Sequence, residues 1–281
     1  MRETSNPVFR SLPKNEGGYA TFGTGAAGYG AQQAHAEPYV TQYPEQRQTG
    51  VSRPLTIDDV VMKTGITLAV LAAVAAATYF MIAQNLGLAM PLLLGGMIGG
   101  TVLLLIALFG RKQDNPAIVL GYAVFEGMLV GSFSFVVANF MVSGVSAGAL
   151  ISQAIVGTFG VFFGMLVVYK TGAIRVTPKL TRFLVAAGFG AVVLMLVNLV
   201  IGMVSGGAGP LRDGGPLAIL FSLVMIGLAA FFFLTDFDSA DQLIRAGAPE
   251  KAAWGVALGL TVTLVWLYLE ILRLLSYFQN D

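Results

Sequence analysis

Residues Val61–Ile82 read VMKTGITLAVLAAVAAATYFMI, an apolar run whose only charge, Lys63, stands at its start. An α-helix rises about 1.5 Å per residue, so about twenty apolar residues cross the roughly 30 Å hydrocarbon core of a bilayer. This stretch therefore predicts a transmembrane helix. Six more runs of similar length follow it, at Leu86–Phe109, Ala117–Val137, Ala149–Tyr169, Phe183–Val204, Pro216–Phe237 and Ala253–Phe278, separated by short polar breaks. The expected fold class is all-α, a polytopic membrane bundle of seven transmembrane helices. Composition agrees, because 56% hydrophobic against 11% charged residues lies outside the range of soluble domains.

Upstream of the first run, residues 1–54 are rich in Gly, Gln, Ala, Tyr, Pro and Ser and show neither helical nor strand periodicity. Such a segment cannot bury enough apolar surface to fold alone, and is expected to be a flexible cytoplasmic tail. It lacks the short apolar core and cleavage site of a signal peptide, so the first span reads as a retained signal-anchor. Residues 55–281 form the expected seven-span domain.

Loop charges predict orientation, since Lys and Arg are retained on the cytoplasmic side. Arg53 and Lys63 flank the start of the first span, Arg111 and Lys112 follow the second, Lys170, Arg175, Lys179 and Arg182 follow the fourth, and Arg245 and Lys251 follow the sixth. The loops on the other side contain only Arg212. The expected placement is a multi-pass protein of the plasma membrane with a cytoplasmic N-terminus and an external C-terminus.

Several function classes are disfavoured. A net charge of +1, with no Lys/Arg cluster interleaved with aromatics, argues against nucleic acid. Cysteine is absent, and the single histidine, His35, lies outside every apolar run, which removes thiolate nucleophiles, sulfur- or histidine-based zinc sites and a Ser–His dyad. No Gly-x-Gly-Asp sequence supports an intramembrane aspartyl protease. The chain is expected not to be an enzyme and to need no cofactor. Its glycines fall at helical spacing at Gly95, Gly96, Gly99 and Gly100, at Gly127 and Gly131, and at Gly160 and Gly164. Close helix packing is the favoured reading of that spacing, and a glycine-lined pore the minority one.

Ionisable residues inside spans carry the functional signal, because a charge at the bilayer centre costs about 2.5–3.5 kcal/mol on the mildest scale. They are Glu126 in the third span, Asp236 and Asp238 closing the sixth, and Glu270 in the seventh, with Arg273 three residues on. Helical residues two apart point in nearly opposite directions, so Asp236 and Asp238 cannot share a partner, whereas Asp238 and Asp241 share a face. Asp236, the deeper, is expected to face the bundle. Glu270 has a local alternative, an i,i+3 salt bridge to Arg273. Acids in excess of bases suit either oxygen ligation of a hard cation or proton-sharing carboxylates. A gate follows from the second use: protonation at low pH releases a basic latch, Arg111 or Lys112, and loosens the cytoplasmic mouth.

Three features resemble the Bax inhibitor-1 (transmembrane Bax inhibitor motif) family, in a bacterial-type member: Phe125-Glu-Gly127, an aspartate ending the sixth span at Asp236 or Asp238, and Leu267-Tyr-Leu-Glu270 in the last. The resemblance runs from about Val61 to Phe278. It implies a pH-sensitive calcium leak, with calcium the permeant ion and a carboxylate pair between the sixth and seventh spans as sensor, here Asp236 or Asp238 with Glu270. It also implies an alternative, a non-conducting regulator of a membrane-bound quality-control protease. Glu270 departs from the aspartate usual in the last span. The spacing departs as well: with a turn near Gly247, Asp236 lies about ten residues above it and Glu270 more than about twenty, a depth mismatch of about 15–18 Å. A continuous helical hairpin keeps those two acids apart. A second reading of the same acids is a cation path stepping from Asp238 and Asp236 through Glu126 to Glu270.

Overall fold

The computed structural model describes residues 53–142 and 146–279. They form seven long helices: α1 (Ile57–Gln84), α2 (Ala89–Phe109), α3 (Pro116–Val136), α4 (Ala147–Thr171), α5 (Pro178–Ser205), α6 (Pro216–Arg245) and α7 (Ala252–Phe278). Each is long and apolar enough to cross a membrane, so the chain is a multi-pass membrane protein. A 3₁₀ turn, Leu86–Leu88, leads into α2, and α3 ends in a π-helical stretch, Val137–Met141.

Local signals set the helix starts. Thr56 and Asp59 form a reciprocal capping box, which starts α1 ahead of its apolar run. Asn115 and Thr177 cap α3 and α5, each followed by proline at the first helical position. At the other extreme, α6 continues past Phe237 to Arg245, so Asp238 and Asp241 lie on a helical extension beyond the apolar stretch.

Burial ranks the helices. In the most apolar window, 72% of α7 and 56% of α3 is buried, against 11–33% for the other five, which places α7 at the centre. Around it, α1 packs on α3 and α7, α2 on α3, and α4 on α6 and α7, whereas α5 packs mainly on α6. An aromatic seam of Phe162, Phe233 and Phe237 joins α4 to α6. A buried hydrogen bond of 2.7 Å between Ser134 Oγ and Tyr268 Oη joins α3 to α7.

The glycine spacing resolves into two behaviours. A Cβ on Gly96 would meet backbone of α3, and one on Gly127 or Gly131 would meet the Leu71 or Ala75 carbonyl of α1, so these glycines permit backbone approach. Gly95, Gly160 and Gly164 face open space.

At the end of the bundle where α1 begins, called the near end below, Arg53 and Leu55 pair antiparallel with the α6–α7 turn. Leu55 N–H donates to Ala248 O (2.8 Å) and Glu250 N–H to Arg53 O (3.0 Å). Arg53 forks onto Asp59 and also reaches Glu250, which takes Lys63 as well. The last two positions of the expected tail therefore belong to the bundle, and residues 1–52 lie outside the described residues.

Candidate functional site

Asp236 occupies the stripe of α6 that includes the buried Phe233 and Ala229, one and two turns earlier. That stripe faces α7, and there Asp236 Oδ2 accepts a 2.7 Å hydrogen bond from Thr263 Oγ1. The next turn of α7 toward the near end carries Gly259, where an added Cβ would lie 3.7 Å from Asp236 Oδ1. A further turn along is Gly255. This small-residue stripe at i, i+4 and i+8 leaves room for a cavity of about 570 Å³. The cavity is lined at depth by Asp236 and Gly259, along α6 by Ser239 and Leu243, and from the α2–α3 connection by Arg111, Gln113 and Asp114. Among the described residues no cation lies within salt-bridge distance of Asp236.

Arg111 enters this cavity from an unusual backbone position. It follows the C-cap Gly110 with φ of 52°, and the next N–H, of Lys112, returns to Ala107 O at 3.0 Å. That is the left-handed helix-ending position that glycine normally fills, and a residue with a Cβ is strained there. Strain of this kind concentrates where function constrains a side chain. Asp114, on the same connection, is fixed by Lys251 at 2.7 Å. The Lys251 hydrogen bond holds the Asp114 carboxyl below the usual carboxylate range.

The remaining acids go elsewhere. Asp238 accepts from Gln242 one turn along its own helix at 2.6 Å. Asp241 binds Arg245 at 2.8 Å and accepts from the Tyr169 hydroxyl of α4 at 3.3 Å. Neither lines the cavity. Glu126 is buried in the α2–α3 seam, where a Cβ on Gly100 would sit 2.9 Å from its Oε1, and its Oε2 has no partner. Lys112 does not line the cavity, and among the described residues it makes no ion pair.

Glu270 requires the correction. The resemblance implies a pairing with Asp236 or Asp238, and the structure places it instead at the far end. Arg212 of the α5–α6 connection donates to it twice, at 2.9 and 2.7 Å, and Arg273 donates at 3.0 Å. The reason is depth: Thr263, which holds Asp236, is seven residues before Glu270, about 10 Å along α7. The local alternative, the bridge to Arg273, is present, and Arg212 joins it. With Asp238 turned outward, Glu126 in a separate seam and Glu270 neutralised, the stepped path of four acids is not assembled.

Sequence reading missed the α7 side of the cavity. The signal was present in the spacing of Gly255, Gly259 and Thr263, but only packing shows that this stripe faces Asp236 rather than another helix. The comparison with known families decides the kinship: a family model described as Bax inhibitor 1 like matches residues 6–280. The chain belongs to this family. The match extends beyond the resemblance at Val61–Phe278 and takes in most of the N-terminal segment. Among curated proteins no match is found. In this chain the α7 positions facing the α6 aspartate are a glycine and a threonine, Gly259 and Thr263, so α7 brings no second carboxylate to Asp236, and the other acid of the cavity, Asp114, is paired with Lys251.

Proposed function

We propose that this protein is a pH-sensitive cation leak of the cytoplasmic membrane, with calcium as the permeant ion and its near end facing the cytoplasm. The observation that carries the reading is Asp236, a half-buried carboxylate held by one hydroxyl, in a cavity that a strained arginine shares. An oxygen ligand without a resident counter-ion can take either a hard cation or a proton. Arg111 is the latch. When Asp236 is charged, the attraction holds the α2–α3 connection over the cavity, and when a proton neutralises Asp236 that attraction is lost and the mouth loosens.

Beyond Thr263 the route is sealed. Leu264 and Leu267 of α7 are buried, and the Arg212–Glu270–Arg273 cluster stands at the far end. The bundle is therefore a closed state whose inner vestibule is already formed. The test is calcium flux into liposomes containing the purified chain, from mildly acidic to mildly alkaline pH. Flux that rises as pH falls, and that loses this dependence in Asp236→Asn, supports the reading; no flux above empty liposomes in either form overturns it.

The second reading, a non-conducting regulator of a membrane quality-control protease, draws on the pairing of Arg53 and Leu55 with Ala248 and Glu250. A partner that engages the residues preceding Arg53 acts one backbone ladder away from the α6–α7 turn. Deleting residues 1–50 separates the two readings, because a leak survives the deletion and a tail-dependent regulator loses its partner.

A further inference from the structure

A second cavity, of about 520 Å³, shares no lining residue with the Asp236 cavity. Its walls are α1, from Leu68 to Phe80, and α4, from Gly148 to Phe159, and its floor is Val130 and Ser134 of α3 with Val265 and Tyr268 of α7. Phe80, Ile155 and Phe159 on its walls are exposed, so the cleft is continuous with the lipid-facing surface of the bundle.

Its polar atoms are already engaged. Ser134 Oγ and Tyr268 Oη bind each other, and Ser134 also lies 2.6 Å from Val130 O. Thr158 donates to Ala154 O at 2.7 Å, and Tyr79 Oη accepts from Asn139 at 3.2 Å. Among the described residues no charged side chain lines the cleft. Water held there would lack the two to four polar partners it needs, and an empty cleft of this size would forfeit the dispersion contacts of its walls. Something apolar fills it.

The dimensions select the occupant. From Leu68 to Phe80 the wall is twelve residues of helix, about 18 Å, close to the half of a roughly 30 Å hydrocarbon core that one acyl chain spans. Leu68 is already eleven residues into α1, about 16 Å from the near end, so the cleft belongs to the far leaflet. We infer that the cleft between α1 and α4 is a binding site for one acyl chain of a far-leaflet phospholipid, with the chain inserted down to the Ser134–Tyr268 pair. The site reads the hydrocarbon and not the headgroup. It is independent of any conduction through the Asp236 cavity.

The test is photo-crosslinking of the full chain in phosphatidylcholine liposomes doped with phosphatidylcholine carrying a mid-chain diazirine, followed by peptide mapping. Labelling of the floor positions Val130, Ser134, Val265 and Tyr268, in addition to outward positions such as Val197 and Val200 of α5, is the expected result. Labelling confined to outward faces overturns the inference. In Ala75→Phe, and separately in Ala72→Phe should the first not fold, the added ring fills the cleft: floor labelling falls to background while α5 labelling is unchanged, and persistent floor labelling overturns the inference. Because the chain has no cysteine, Ala76→Cys provides a wetness check. Rapid reaction with a water-soluble maleimide in intact liposomes would show a hydrated cleft and equally overturn the inference.

Discussion

Glu270 and Arg212, separated by 58 residues of sequence, meet in a bidentate ion pair that ties the α5–α6 connection to the central helix. Arg273 shares the same carboxylate. One anion thus compensates two cations in a site where the Glu270 side chain is 3% exposed.

Removing that anion leaves both guanidiniums unpaired. Breaking a buried pair from one side costs about 3–5 kcal/mol, so Glu270→Gln is expected to lower the thermal unfolding midpoint sharply. Arg212→Gln costs less, because Glu270 keeps Arg273. Thermal denaturation of the detergent-purified variants ranks them; a Glu270→Gln protein as stable as Arg212→Gln would contradict the shared-carboxylate account.

Arg111→Gly separates backbone strain from charge. A left-handed position costs a residue with a Cβ about 1–2 kcal/mol, so glycine should raise stability by about that amount while removing the latch. Arg111→Ala removes the charge and retains the strain. Both are expected to leak calcium at neutral pH, and only the first to melt higher than wild type.

The glycines of α7 and α3 answer oppositely to side chains. Gly259→Leu fills the space beside Asp236 and is expected to abolish leak with little change in stability, since the first added atom has room. Gly131→Ala forces a Cβ against the Ala75 carbonyl, and overpacking of this kind typically costs about 1–3 kcal/mol. Gly160→Ala, facing open space, should be neutral. Melting curves and liposome flux on the three proteins check the pattern.

Asp114 gives an acid-side prediction. Its carboxyl is depressed by Lys251, so the pair contributes stability above about pH 4, the ordinary aspartate value, and loses it as pH falls through the lower folded value. The pair is largely exposed, which limits its worth to about 0–1 kcal/mol. Asp114→Asn should therefore melt slightly lower than wild type at pH 7, with the difference vanishing at strongly acidic pH.

The seven spans were legible in the sequence because length and apolarity are local properties: a run such as Val61–Ile82 has only one stable state in hydrocarbon, a helix with every backbone group paired internally. Helix starts were less well placed from apolarity alone: the caps at Thr56 and Thr177 begin α1 at Ile57 and α5 at Pro178, ahead of the expected Val61 and Phe183. The opposed directions of Asp236 and Asp238 followed from helical periodicity, and the depth mismatch between Asp236 and Glu270 from rise per residue. Only the tertiary structure decided the partners. Which face of α7 meets α6, and hence that Gly259 and Thr263 sit opposite Asp236, depends on how the whole bundle packs, and nothing local to α7 distinguishes that face. That Arg212 folds back from a loop onto Glu270 was likewise invisible, because a charge pair between a connection and a distant helix has no sequence period. Periodicity determines where a side chain lies along and around its own helix; rotation of each helix against its neighbours, settled by summed packing, determines what that side chain meets.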